Sequence, residues 1–144
     1  GKRADKSGKF IVKTLKDRSI DVVKYQVVPD DSSVIEELLI KYSDDLHLDL
    51  ILTTGGTGLG LRDVTPEATS NVLEREIKGI AEGSRAYGQR RTPLSMLSRG
   101  VAGVRGKSLI INIPGSLNAV SESLEFLFPG LEHAFKMMEG HGHK

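Results

Sequence analysis

Cysteine is absent from this chain of 144 residues, which excludes disulfides, thiolate-held metals and a cysteine nucleophile. A reducing cytoplasm is compatible with that lack, and a cytoplasmic location is expected. Charge of one sign is also missing: 20 Lys plus Arg face 19 Asp plus Glu, a net charge of +1. Such balance leaves no electrostatic footprint for a duplex nucleic acid. No apolar run approaches the roughly 20 residues a membrane-spanning helix needs. The opening Gly1-Lys2-Arg3-Ala4-Asp5 lacks the charged-then-apolar order of a secretory leader, so none is expected. Histidine is scarce: His47 stands alone before an expected strand and His133 falls on the last helix. His141 and His143 lie in a glycine-flanked tail, expected to be disordered and at best a weak metal binder. No Ser-His-acid set can be assembled.

What is present fits a soluble globular protein, with 38% hydrophobic and 27% charged residues. A chain of this size buries roughly two-thirds of the surface it exposes when unfolded, enough for a core without staples. No internal repeat or linker interrupts it, so residues 1–144 are expected to form one domain.

Residues 1–9 read as a polar loop and Phe10 to Lys16 as a short helix with Phe10, Ile11 and Leu15 inward. Ile20 to Val28, rich in Val and ended by Pro29-Asp30, reads as a strand. Ser33 with Glu36 forms a possible capping box for a helix reaching about Ser43. The apolar run from Leu48 predicts a strand to Thr54. A helix follows with Thr65 as cap and Pro66 in its first turn, then a glycine-interrupted one over Ile77 to Gln89. Thr92-Pro93 starts a short turn of helix ending near Ser98. Val101 to Arg105 and Ser108 to Ile113, split by Gly106-Lys107, predict an antiparallel hairpin. The last helix begins near Asn118, with Val120, Leu124, Leu127, Leu131, Phe135 and Met138 inward, and Pro129 is expected to kink or split it. The alternation predicts an α/β three-layer sandwich with a mainly parallel sheet, helices on both faces and one antiparallel edge hairpin.

Open parallel sheets bind ligands outside the carboxyl ends of their strands. Three loops are expected there: Pro29-Asp30-Asp31, Gly55 to Asp63, and Pro114 to Asn118. Gly55, Gly56 and Gly58 let a ligand approach the main chain, as backbone N–H groups do around phosphates. No Gly-Lys-Ser/Thr follows, which excludes a Walker loop, and no helix starts directly on the glycines, which excludes a dinucleotide fingerprint. Asp30 and Asp63 would bring two carboxylates to that cavity, a donor set suited to Mg²⁺ beside substrate phosphates. The plainer alternative makes Asp30 a turn residue and Asp63 a helix cap. Asp31, Asp44 and Asp45 read as solvated turn or helix-end residues. Arg85, Arg90, Arg91, Arg99 and Arg105 form the one basic concentration, either a solvated surface or an attractor of an anionic ligand.

Gly-Gly-Thr-Gly, Arg62-Asp63-Val64-Thr65-Pro66-Glu67-Ala68-Thr69, Leu97-Ser98-Arg99 and Pro114-Gly115 occur together and in order. In this the chain closely resembles, from about Asp5 to Met138, the molybdopterin adenylyltransferases, that is, the bacterial Mog-type proteins and the G domains of plant relatives and animal gephyrin. The resemblance implies Mg²⁺-dependent transfer of AMP from ATP to molybdopterin in molybdenum cofactor biosynthesis. It makes Asp30 and Asp63 the functional aspartates, and gives nucleotide or pterin contacts to Gly55, Gly56, Thr57, Gly58 and Glu67. Ser98 and Arg99 match the segment beside the pterin pocket, and Pro114, Gly115, Ser116 and Asn118 the loop closing on the ligand. Asp5 and Ser7 match an acidic element after the family's first strand. A homotrimer and a molybdate-insertion enzyme as partner are likewise implied. Many members read Pro-Gly-Asn-Pro where this chain has Pro114-Gly115-Ser116-Leu117. The family's first strand is absent from the sequence, so a sheet lacking that member is expected. The alternative is a molybdopterin-binding or scaffold module without turnover. The molybdate-insertion enzyme itself is disfavoured, because its domain reads Gly-Gly-Thr-Ser.

Overall fold

A computed structural model describes residues 5–139; the readings for residues 1–4 and for the histidine tail lie outside the described residues. Helix α1 runs Lys6–Asp17 and takes in residues read as loop. The cause is a cap: the Asp5 carboxylate accepts from the Gly8 N–H at 2.9 Å, satisfying a free amide at the positive end of the helix. A Cβ at position 8 would lie 2.0 Å from Asp5 Oδ2, so a side chain there would displace the capping carboxylate. Helix α2 spans Ser32–Ile40 and continues as a π-helical turn over Lys41–Asp45. Its cap is Asp31, not Ser33, with the Val34 N–H donating to Asp31 Oδ1 at 3.2 Å.

Strand β1 (Leu50–Thr54) is followed by α3 (Thr65–Val72), the two-residue strand β2 (Arg75–Glu76) and α4 (Lys78–Gly88). A 3₁₀ turn over Pro93–Leu97 leads to β3 (Ala102–Arg105), β4 (Ser108–Ile113) and α5 (Leu117–Met138). The four-stranded sheet has the order β1-β4-β3-β2. β1 pairs with β4 in parallel, Ile51 opposite Ile110, while β4–β3 and β3–β2 are antiparallel. This corrects the expectation of a mainly parallel sheet with the hairpin at its edge: β3 and β4 are the inner strands. Gly106, at φ +55°, turns the chain back within two residues. Gly103, where a Cβ would lie 2.2 Å from the Arg75 carbonyl oxygen, lets β2 join the sheet.

The expected strand over 20–28 does not form. β-propensity expresses packing beside a partner strand, and β1, which ends the sheet, pairs only with β4. The segment is held by side chains instead. Ile20 and Val22 pack on one core and Val28 on the other, while Val23 and Val27 stay exposed.

The two cores use alternate residues of β4. Leu109, Ile111 and Ile113 pack with Ile11 and Leu15 of α1 and the Val120, Leu124, Leu127 and Leu131 stripe of α5. Ile110 and Ile51 pack with Ile35 and Leu39 of α2 and Ala68 and Val72 of α3. Fully burying each such Leu or Ile stabilises the fold by about 1.5–3 kcal/mol. Helix α5 passes through Pro129 without splitting, because buried Leu127 and Leu131 anchor it on both sides. At the opposite end of the sheet from the strand-end loops, Arg105 grips Asp44 through Nε and Nη2 and donates through Nη1 to the Val72 carbonyl.

Candidate active site

Parallel pairing sends β1 and β4 in one direction, so the loops that leave them emerge side by side. The Gly55 N–H donates to the Ile113 carbonyl at 2.9 Å, and the Thr54 hydroxyl donates to the Pro114 carbonyl at 2.9 Å. Gly55 and Gly56 have φ of +86° and +69°, where a side chain is strained. A Cβ on Gly56 would lie 2.3 Å from Thr65 Oγ1. The N-terminus of α1 closes on the same edge, where the Ser7 hydroxyl donates to the Gly115 carbonyl at 2.7 Å.

The glycine loop is held open by one arginine. The Arg99 backbone N–H donates to the Thr57 carbonyl, its Nε to the Gly58 carbonyl at 2.8 Å and its Nη2 to the Asp63 carbonyl at 2.7 Å. Its guanidinium also pairs with Glu67, which holds the Glu67 carboxyl below the usual carboxylate range. Arg99 and Glu67 therefore act on loop shape and cancel each other's charge. The Asp63 carboxylate closes the turn by accepting from the Gly60 N–H at 2.8 Å through Oδ2. Behind the loop stands Asn112, an Asn in an otherwise apolar strand. Its amide donates to the hydroxyls of Thr53 and Thr69, and its Oδ1 accepts from the Val101 N–H.

Beside these loops lie two hollows. One, of about 300 Å³, is lined by α4, the 3₁₀ turn, the end of β4 and the start of α5, including Ser84, Arg85, Ser98, Pro114, Ser116 and Ser123. The other, of about 400 Å³, is lined by Lys78, Glu82, Arg85, Ser98, Arg99 and Gly100 among others. Arg85 stands in both walls, its Nη1 donating to the carbonyls of Ser98 and Gly100 at 3.1 Å each.

The structure thus gathers Asp5, Ser7, Gly55, Gly56 and Gly115 at one sheet edge. Thr57, Gly58, Asp63, Glu67, Ser98 and Arg99 form a bonded group next to it. Asp5 acts through its cap and accepts from the Tyr25 hydroxyl; these bonds, Tyr25 first and Gly8 second, hold its carboxyl below the usual range. Ser116 caps α5, its Oγ accepting from the Ala119 N–H at 3.3 Å. Asn118 is exposed in the first turn of that helix. Asp30 lies exposed in the bend before α2, with no side-chain hydrogen bond among the described residues. Neither Asp30 nor Asp63 lines the two hollows, and the expectation that Asp30 follows a strand fails with the strand over 20–28. Among the described residues no group of three or more His, Asp or Glu gathers as a metal cage. The basic cluster divides: Arg85, Arg91 and Arg99 line the hollows, Arg90 lies over the Tyr87 ring, and Arg105 serves the far end of the sheet. Sequence reasoning missed Asn112, whose signal was one polar residue inside Leu-Ile-Ile-Asn-Ile, and Ser84, Ser123 and Glu122, which carry no local signal.

Comparison with known proteins bears on this arrangement. A family model described as a probable molybdopterin binding domain matches residues 1–133. The molybdopterin adenylyltransferase of Helicobacter pylori (strain ATCC 700392 / 26695) is 41% identical over 138 residues, covering 94% of this chain and 78% of that protein. Gephyrin of Dictyostelium discoideum is 40% identical over 144 residues, covering 93% of this chain but 20% of its own. The crystal structure of the molybdopterin biosynthesis enzyme MoaB from Thermus thermophilus superposes with a TM-score of 0.90 at 47% identity, covering 100% of this chain and 91% of that one.

Proposed function

The chain belongs to the molybdopterin-binding domain family, and from that premise we propose that it transfers AMP from ATP to molybdopterin in molybdenum cofactor biosynthesis. The observation that carries this reading is the meeting of the Gly55–Gly56 turn with Gly115 at one sheet edge, beside two hollows. In the reaction a phosphate oxygen of molybdopterin forms a bond to the α-phosphorus of ATP. The bond from that phosphorus to the bridging oxygen breaks, and pyrophosphate leaves. The attacking oxygen is already anionic, so no strong protein base is demanded, in keeping with the scarce histidines.

Each residue then has a task. The amides of Gly56, Thr57 and Gly58, in a turn shaped by the positive φ of Gly55 and Gly56 and held by Arg99 and Glu67, are donors for phosphate oxygens, while the Gly55 N–H ties the turn to Ile113. Ser98, Pro114, Gly115, Ser116 and Asn118 shape the wall for the pterin, and Asp5 and Ser7 lock the α1 end against Gly115. Asp30, without a partner among the described residues, and Asp63, with one oxygen committed to Gly60, are hard donors of the kind Mg²⁺ takes beside substrate phosphates, and these two would hold it. The ion would supply charge compensation on the polyphosphate. The chain acts as one domain in the cytoplasm, its sheet the middle of three layers. Three copies associate, and the product passes to a molybdate-insertion enzyme.

Incubation of the protein with ATP, Mg²⁺ and molybdopterin tests the reading. Stoichiometric pyrophosphate and adenylylated pterin are expected. Tight binding of both substrates without pyrophosphate release would replace it with the binding-module alternative.

A further inference from the structure

Arg85 is a half-buried cation in a concave wall, with no carboxylate in ion-pair distance among the described residues. One nitrogen, Nη1, is spent on the carbonyls of Ser98 and Gly100. Nε and Nη2 make no hydrogen bond among the described residues. In the 300 Å³ hollow the remaining charged side chains, Arg91 and Glu122, pair with each other at 3.0 Å. Among the described residues that leaves Arg85 as the uncompensated charge there, with hydroxyls of Ser84, Ser98, Ser116 and Ser123 around the same space. A guanidinium fixed on one side and open on the other, facing hydroxyl donors, matches a tetrahedral oxyanion.

We propose that Arg85 is a phosphate-binding residue, taking a substrate phosphate through Nε and Nη2 while Nη1 holds the Ser98–Gly100 backbone in place. The proposal rests on the nucleotidyl-transfer reading for the source of that phosphate, either the polyphosphate of ATP or the phosphomonoester of molybdopterin. It separates Arg85 from Arg99, whose donors are already taken by the loop and by Glu67.

Two variants divide charge from scaffolding. Arg85→Gln keeps an amide donor for the carbonyls but removes the charge; Arg85→Lys keeps the charge. Calorimetry with ATP, pyrophosphate and molybdopterin, each alone and at two salt concentrations, is run on wild type and on variants that unfold cooperatively. Arg85→Gln is expected to weaken one phosphate ligand by about tenfold or more, with a shallower salt dependence, and Arg85→Lys to recover part of the loss. The ligand affected names the source: ATP and pyrophosphate together, or molybdopterin alone. Equal affinities of Gln, Lys and wild type for all three would overturn the proposal and leave Arg85 a backbone clamp. Wild type that binds phosphate through Arg85 yet releases no pyrophosphate would keep the site and remove the transfer reading instead.

Discussion

Gly115 passes so near Gly55 that a Cβ on it would lie 3.1 Å from the Gly55 Cα. Two loops from different strands share one wall because neither carries a side chain at the crossing. Substitutions around that crossing separate positioning from chemistry.

Gly56→Ala meets both a positive φ and the Thr65 hydroxyl, which a Cβ would approach to 2.3 Å. A loss of about 1–3 kcal/mol is expected in urea unfolding, with turnover falling further because the loop must shift. Gly79→Ala, where nothing lies within 4 Å of the new Cβ, is the control and should be neutral or stabilising. An unchanged midpoint for Gly56→Ala would contradict the loop geometry.

Asn112→Ala strands the Thr53 and Thr69 hydroxyls and the Val101 N–H in a buried network. The expected cost is about 2–4 kcal/mol by chemical denaturation. Hydrogen exchange should accelerate at Val101, and a cost below about 1 kcal/mol would mean that water replaces the amide.

Asp63→Asn retains an oxygen to accept from the Gly60 N–H while removing the charge. Adenylyl transfer should fall by about 100-fold or more, with the melting temperature nearly unchanged and pterin binding largely intact. Asp63→Ala should lose the turn as well, and near-wild-type turnover in the Asn variant would remove the carboxylate from the chemistry.

Acid should loosen the α1 end. Asp5 is depressed below 3.8 by the Tyr25 hydroxyl and the Gly8 N–H, so its contribution is fully present above the ordinary carboxylate range. It is lost as pH falls through the depressed value. Tyr25→Phe should therefore destabilise at neutral pH, and the gap to wild type should close once the pH has fallen through the depressed Asp5 value. A gap that persists there would point to lost packing of the ring instead.

Legibility in the sequence followed range of interaction. The glycine turn after Thr54, the Gly106 hairpin and the inner stripe of α5 are set by neighbours a few residues away, and each lies where its pattern puts it. Ile20 to Val28 has strand composition yet no ladder, because a strand exists only beside another strand. β2 is too short to carry a period, and its place depends on Gly103 across the sheet.

At the candidate site the same division holds. Local spacing alone determined that a glycine turn, an acid and a helix start follow β1, since φ restrictions and capping act within a turn of chain. Only the tertiary structure decided that Arg99 holds that turn from 41 residues beyond Gly58, that Glu67 neutralises it, and that Arg85 is left with charge to offer. Pairing of charges and sharing of walls are properties of distance in space, and sequence order carries no record of it.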